Sequence, residues 1–86
     1  MVRRGKLLDT ARRSPAGLKF RDLCSLAEAA GFVLDRQAGS HLIYRHATRA
    51  DVPRLNLQEG KSGAAKPYQV QQVLDTLNLY GLEVKK

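Results

Sequence analysis

Two stretches of this chain repeat their apolar residues at helical spacing, and the chain between them changes to a period of two. That switch restricts the fold more than any other feature. Leu23, Leu26, Ala27 and Ala30 fall at i, i+3, i+4 and i+7, as do Val70, Val73, Leu74 and Leu77, a spacing that gathers all four side chains on one helix face. Asp22 stands in the first turn of the earlier helix and Gly31 where a left-handed C-cap is expected, while Pro67 suits the first turn of the later one, where its missing N–H is not needed. Phe20 reads as a residue just before its helix, folded back as a staple, with Arg21 a poor N-cap. A shorter helix over 5–13 presents Leu7, Leu8 and Ala11 and is stopped by Ser14-Pro15.

Between the helices, Phe32 to Gln37 and Ser40 to His46 read as strands joined at an Ala38-Gly39 turn. Alternation sends His41, Ile43 and Arg45 to one face of the second strand and Leu42, Tyr44 and His46 to the other. After a loop over 47–52, Leu55 and Leu57 alternate with Arg54 and Asn56 in a third strand, and Glu59 to Gly63 reads as a flexible loop from its composition. The order α-α-β-β-β-α predicts an α+β fold. Its three-stranded antiparallel sheet carries helices on one face and leaves the other open for docking. A chain of 86 residues has the length of one domain with a modest core.

Charge narrows the class of partner. The net charge is +7, which attracts polyanions, and it is unevenly placed. Residues 1–21 carry seven basic side chains against Asp9, net +6, and residues 36–66 carry six against Asp51 and Glu59, net +4. Residues 22–35 and 67–84 are net acidic, at −3 and −2. Cys24 is the one cysteine, so no internal disulfide forms and a cysteine-rich zinc site is excluded. Arg3, Arg4 and Lys6 resemble the start of a signal peptide, but Leu7-Leu8 runs at once into Asp9, Thr10, Arg12 and Arg13. Without an apolar core segment or a membrane span, a cytoplasmic protein is expected.

No P-loop, dinucleotide fingerprint or HExxH motif occurs, and neither a metal nor a cofactor is expected. Cys24 lies between Leu23 and Leu26, the position of a packed thiol rather than a nucleophile. His46 shares its face with Leu42 and Tyr44 and reads as packed or at the rim. His41 opens its strand after Gly39-Ser40, with Arg45 four residues on and Arg36 across the hairpin. Histidine moves protons near neutral pH while arginine holds phosphate. From alternation alone, an ordinary surface histidine remains the commoner reading.

The run Gly31-Phe32-Val33-Leu34-Asp35-Arg36-Gln37-Ala38-Gly39-Ser40-His41-Leu42-Ile43-Tyr44-Arg45-His46 resembles the signature of the HicA toxins: a helix ending at glycine, a strand, then Gly-Ser-His opening the next strand. The likeness extends more loosely over 20–82, through Asn56-Leu57-Gln58 and Lys66-Pro67-Tyr68-Gln69-Val70, and leaves residues 1–19 as a basic N-terminal extension of a single 1–86 domain. Leu42 stands where the family often has a polar residue or histidine, and Ala47 where proline is common. The resemblance implies a fold similar to double-stranded RNA-binding domains, endonucleolytic cutting of messenger RNA, and neutralisation by a HicB-type antitoxin. By position it makes His41 the catalytic histidine. Beside it, Gly39, Ser40, Arg36, Arg45, Lys61 and Lys66 are the candidate RNA contacts, with Arg36, Arg45 or Lys61 expected to neutralise phosphate charge.

RNA supplies its own nucleophile, the 2′-hydroxyl, so such an enzyme needs only to move protons and offset phosphate charge. His41 is then general acid or base, and no metal is required. The alternatives are a non-catalytic RNA-binding module of the same fold, which grips by shape and phosphate contacts, and an inactivated toxin that still joins an antitoxin complex.

Overall fold

The computed structural model describes residues 4–84, with side chains from Lys6 onward; Arg3, counted above in the cationic N-terminal segment, lies outside them. Helix α1 spans Arg4–Arg13, α2 Phe20–Ala29 and α3 Pro67–Leu79, and strands β1 Phe32–Ala38, β2 His41–His46 and β3 Leu55–Gln58 form one antiparallel sheet in the order β1-β2-β3. The fold is α+β, as the patterning predicts, with the element order α-α-β-β-β-α.

The helices share a core with one face of the sheet. Phe32, Tyr44, Leu55 and Leu57 from the strands pack with Leu23, Leu26 and Ala27 of α2 and Val70, Val73 and Leu77 of α3. Ala11 of α1 is wholly buried in the same cluster, and Leu7 is buried beside it. The other face of the sheet carries Val33, Arg36, His41, Ile43, Arg45 and Asn56, and nothing among the described residues covers it.

Helix α2 starts at Phe20 rather than after it. Lys19 holds the N-cap position in extended conformation without a side-chain cap, and its carbonyl accepts from the Asp22 and Leu23 amides, both at 3.0 Å. Burying a phenylalanine stabilises by about 1.5–3 kcal/mol, against about 1 kcal/mol for a missing cap side chain. Packing of Phe20 therefore decides the boundary.

The hairpin turn is Gly39-Ser40, one residue later than the Ala38-Gly39 expectation, because Ala38 pairs with His41. Gly39 has φ +61°, which the first central position of a type II′ turn requires and which only glycine adopts freely. Further up the hairpin the register shifts between Leu34 and Arg36, so that Asp35 and Arg36 together oppose Ile43. This β-bulge turns Asp35 toward β2 and β3 on the open face. The 59–63 segment is a loop, as expected, but a pinned one. The Gly60 amide donates to the Ala64 carbonyl at 2.9 Å, and the Ala65 amide to the Leu18 carbonyl at 2.9 Å. Those backbone bonds tie it to the entry of α2.

Candidate functional site

At one corner of the open face, where β2 begins and β3 ends, five polar side chains meet. His41 pairs in register with Gln58, and its neighbour on the same face, Ile43, pairs with Asn56. Asn56 is thus the diagonal neighbour of His41, close enough for side chains to touch. His41 Nδ1 lies 2.8 Å from Asn56 Oδ1. An amide oxygen only accepts, so in the neutral ring Nδ1 carries the proton and donates it, and Nε2 has no hydrogen-bond partner among the described residues. Gln58 donates from Nε2 to Ser40 Oγ at 2.8 Å and accepts from Lys66 Nζ on Oε1 at 2.8 Å.

Behind this corner sits Gln69, the buried polar residue of the core region at 4% exposure. Its Oε1 accepts from the Gln58 amide at 3.0 Å, and its Nε2 donates to the Asn56 carbonyl at 3.3 Å. β3 is an edge strand, and the carboxamide of Gln69 satisfies one amide and one carbonyl on its free side as a neighbouring strand would. Leaving such groups buried and unpaired costs about 1–3 kcal/mol each, which is why a polar residue belongs at this core position.

The candidate contacts divide between this corner and elsewhere. Ser40 and Lys66 join His41 through Gln58, and Gly39 shapes the turn beside them. Arg36 is exposed on β1 opposite Ile43, diagonal to His41 from the other side, with no ion pair among the described residues. Arg45 lies toward the far end of β2, about 13 Å along the strand at 3.3 Å per residue. There its Nε is 3.6 Å from Asp35 Oδ1, and Arg54 Nε is 3.4 Å from Asp35 Oδ2. One carboxylate therefore serves two arginines. Lys61 is exposed in the 3-10 turn Lys61–Gly63, and no described contact brings it to His41. Asn56, Gln58 and Gln69 are the participants that the sequence reading misses; the Asn56-Leu57-Gln58 alternation puts the two amides on one face of β3, and the pairing with β2 makes that the face of His41.

The other histidine is consumed by structure. His46 Nε2 donates to the Ala30 carbonyl at 3.2 Å, and Nδ1 accepts from the Thr48 and Arg49 amides at 3.2 and 3.1 Å. Its ring meets Phe32 edge-on, with centroids 5.3 Å apart. Both nitrogens are occupied, in line with the packed reading from its face. Cys24 is half-buried, and burial pushes its thiol up from its ordinary pKa, the opposite of what a nucleophile needs. Among the described residues, no three His, Cys, Asp or Glu side chains group as metal ligands would.

The fold and corner define a small α+β protein whose uncovered sheet face presents cations and one histidine with a free ring nitrogen. A family model, the HicA toxin of bacterial toxin-antitoxin systems, matches residues 20–79, and the chain belongs to that family. The matched span holds all three strands, α2 and α3, and leaves α1 outside. No curated protein and no solved structure matches the chain.

Proposed function

We propose that this toxin-family protein is an endoribonuclease that cuts RNA at the His41 corner without a metal ion. The observation that carries the reading is the state of His41: one ring nitrogen held at 2.8 Å by Asn56, the other without a partner among the described residues. A proton-transfer group must be fixed in place and yet have one nitrogen to spare. Arg36, diagonal to His41 on β1, and Lys66, joined to the corner through Gln58, are the cations taken to offset the phosphate, and Ser40 adds a hydroxyl at the turn. In the step proposed, the 2′-hydroxyl loses its proton to the site and its oxygen bonds to phosphorus. The bond from phosphorus to the 5′-oxygen breaks with its electron pair, and that oxygen takes up a proton from water. The products are a 2′,3′-cyclic phosphate and a 5′-hydroxyl.

Incubation of the purified protein with a defined RNA, with and without EDTA, followed by analysis of the ends, tests this. Equal cleavage in both with cyclic phosphate ends is expected. Loss of cleavage in EDTA, or 5′-phosphate ends, would overturn the metal-free mechanism, and binding without cleavage would leave the RNA-binding module. The same reading takes messenger RNA in the cytoplasm as the substrate and a HicB-type antitoxin as the partner, covering the open face with acidic groups set against its cations. Adding that antitoxin should abolish cleavage. Unchanged RNA access in the mixed pair would count against an antitoxin seated there. Among the described residues, no helix is long and apolar enough to cross a membrane.

A further inference from the structure

Resting on the nuclease reading, we infer that Asn56 is a positioning residue that fixes His41 in the tautomer of a general base, and that Gln69 is the buried brace that keeps Asn56 there. Imidazole has two neutral tautomers, and the one protonated at Nε2, which free histidine favours, would turn an N–H rather than a lone pair toward the open face. Asn56 Oδ1, at 2.8 Å, can accept a hydrogen bond only from a protonated Nδ1. The pairing therefore leaves Nε2 able to take the proton of a 2′-hydroxyl. His41 enters the reaction as base. It carries a proton at Nε2 only after that transfer and returns it to solvent once water has protonated the 5′-oxygen, so the order of its two states follows from the hydrogen bond.

Asn56 does not hold this post by itself. It lies on an edge strand of four residues, Leu55–Gln58, and such strands lack a second neighbour to fix them. Gln69 stands in for that neighbour, bonding the Asn56 carbonyl and the Gln58 amide from α3. A helix that belongs to the core thus sets the pitch of the two β3 residues whose side chains grip His41 and Ser40. Small displacements at a reacting group are costly: about 1 Å is worth on the order of 10²-fold in rate.

Nitrogen NMR of the two histidine rings in the full chain reads the tautomers directly, with no need for cleavage. Two opposite neutral forms are expected in one molecule: His41 protonated at Nδ1, and His46 protonated at Nε2, toward the Ala30 carbonyl. Asn56→Ala should move His41 toward the Nε2-protonated form, leave His46 and the melting temperature unmoved, and lower kcat by about tenfold, the worth of one net hydrogen bond, with little change in KM. Asn56→Asp keeps an acceptor beside Nδ1 and adds a negative charge. It should retain the Nδ1-protonated form, recover much of kcat, and carry the acid limb of the rate profile to higher pH, since a neighbouring carboxylate favours the charged imidazole. Gln69→Leu should loosen the same signal in the folded protein. A parent His41 protonated at Nε2, or an Asn56→Ala variant with His41 tautomer and kcat unchanged, overturns the assignment even in an active nuclease. If His41→Ala cleaves as well as the parent, it is catalysis at the His41 corner that fails, and the base role with it, while the parent's ring signals stay as assigned.

Discussion

Strand β2 carries a histidine at each end, and the two have opposite fates. At its C-terminal end His46 faces the core side, accepts from two backbone amides on one nitrogen, donates to a backbone carbonyl with the other, and rests edge-on against Phe32. At its N-terminal end His41 lies on the open face with one side-chain partner and one nitrogen uncommitted. The side-chain chemistry is the same; the parity of position in the strand separates them. What a histidine can do follows from what its neighbours leave unpaired.

The comparison is broken most severely from the structural side. His46→Ala removes three hydrogen bonds and leaves the Thr48 and Arg49 amides and the Ala30 carbonyl in search of water. At about 1 kcal/mol per bond, a loss of about 3 kcal/mol is expected. A thermal melt should fall by 10 °C or more, at roughly 4–8 °C per kcal/mol for a domain this size, while the cleavage rate per folded molecule holds. His41→Ala should invert that result. Stability stays within about 0.5 kcal/mol, and cleavage drops by at least about 10²-fold, equivalent to about 2.7 kcal/mol of barrier. A variant that melts early at position 41, or one that stops cleaving while fully folded at position 46, would mean the two roles are assigned the wrong way round.

Gly31→Ala sharpens the structural half. A methyl there would sit 2.6 Å from His46 Nε2, at a φ of +102°. The histidine is held at both nitrogens and has little room to yield, so a destabilisation of about 1–2 kcal/mol is expected, readable in the midpoint of a denaturant titration. A stability equal to the parent would show that the His46 ring moves freely after all.

Much of this was legible in the sequence, for a physical reason. The core-forming positions of α2 and α3 repeat at helical spacing, and period-two alternation separates the two histidines, so local pattern carries both the elements and the faces. Gly-Ser-His pointed to His41 through resemblance, where alternation alone could not lift it above a surface histidine. Three features escaped because they depend on how distant segments meet. The bulge at Asp35 is a register property of a strand pair, and it delivers Asp35 to Arg45 and Arg54. The meeting of His41 with Asn56 depends on β2 and β3 aligning so that Ile43 pairs with Asn56. The start of α2 at Phe20 is settled by burial against other elements rather than by its own capping residues.

The smallest effect concerns the cations that flank the two ends of β2. Arg45 shares Asp35 with Arg54, whereas Arg36 is exposed beside the His41 corner with no ion pair among the described residues. To bind a phosphate, Arg45 must first leave a carboxylate that is only 30% exposed; Arg36 has no ion pair to leave among the described residues. Each phosphate contact removed should lower the slope of log affinity against log salt by about one. Arg36→Ala should therefore reduce the slope by about that amount and weaken binding of an uncleavable RNA, and Arg45→Ala should do so by clearly less. Asp35→Asn completes the set, since it releases two arginines and should raise the slope and the affinity slightly. If Arg45→Ala instead proves the more damaging, the RNA runs past the Asp35 end of the sheet, and the phosphate contacts of the His41 corner must come from Lys66 rather than from Arg36.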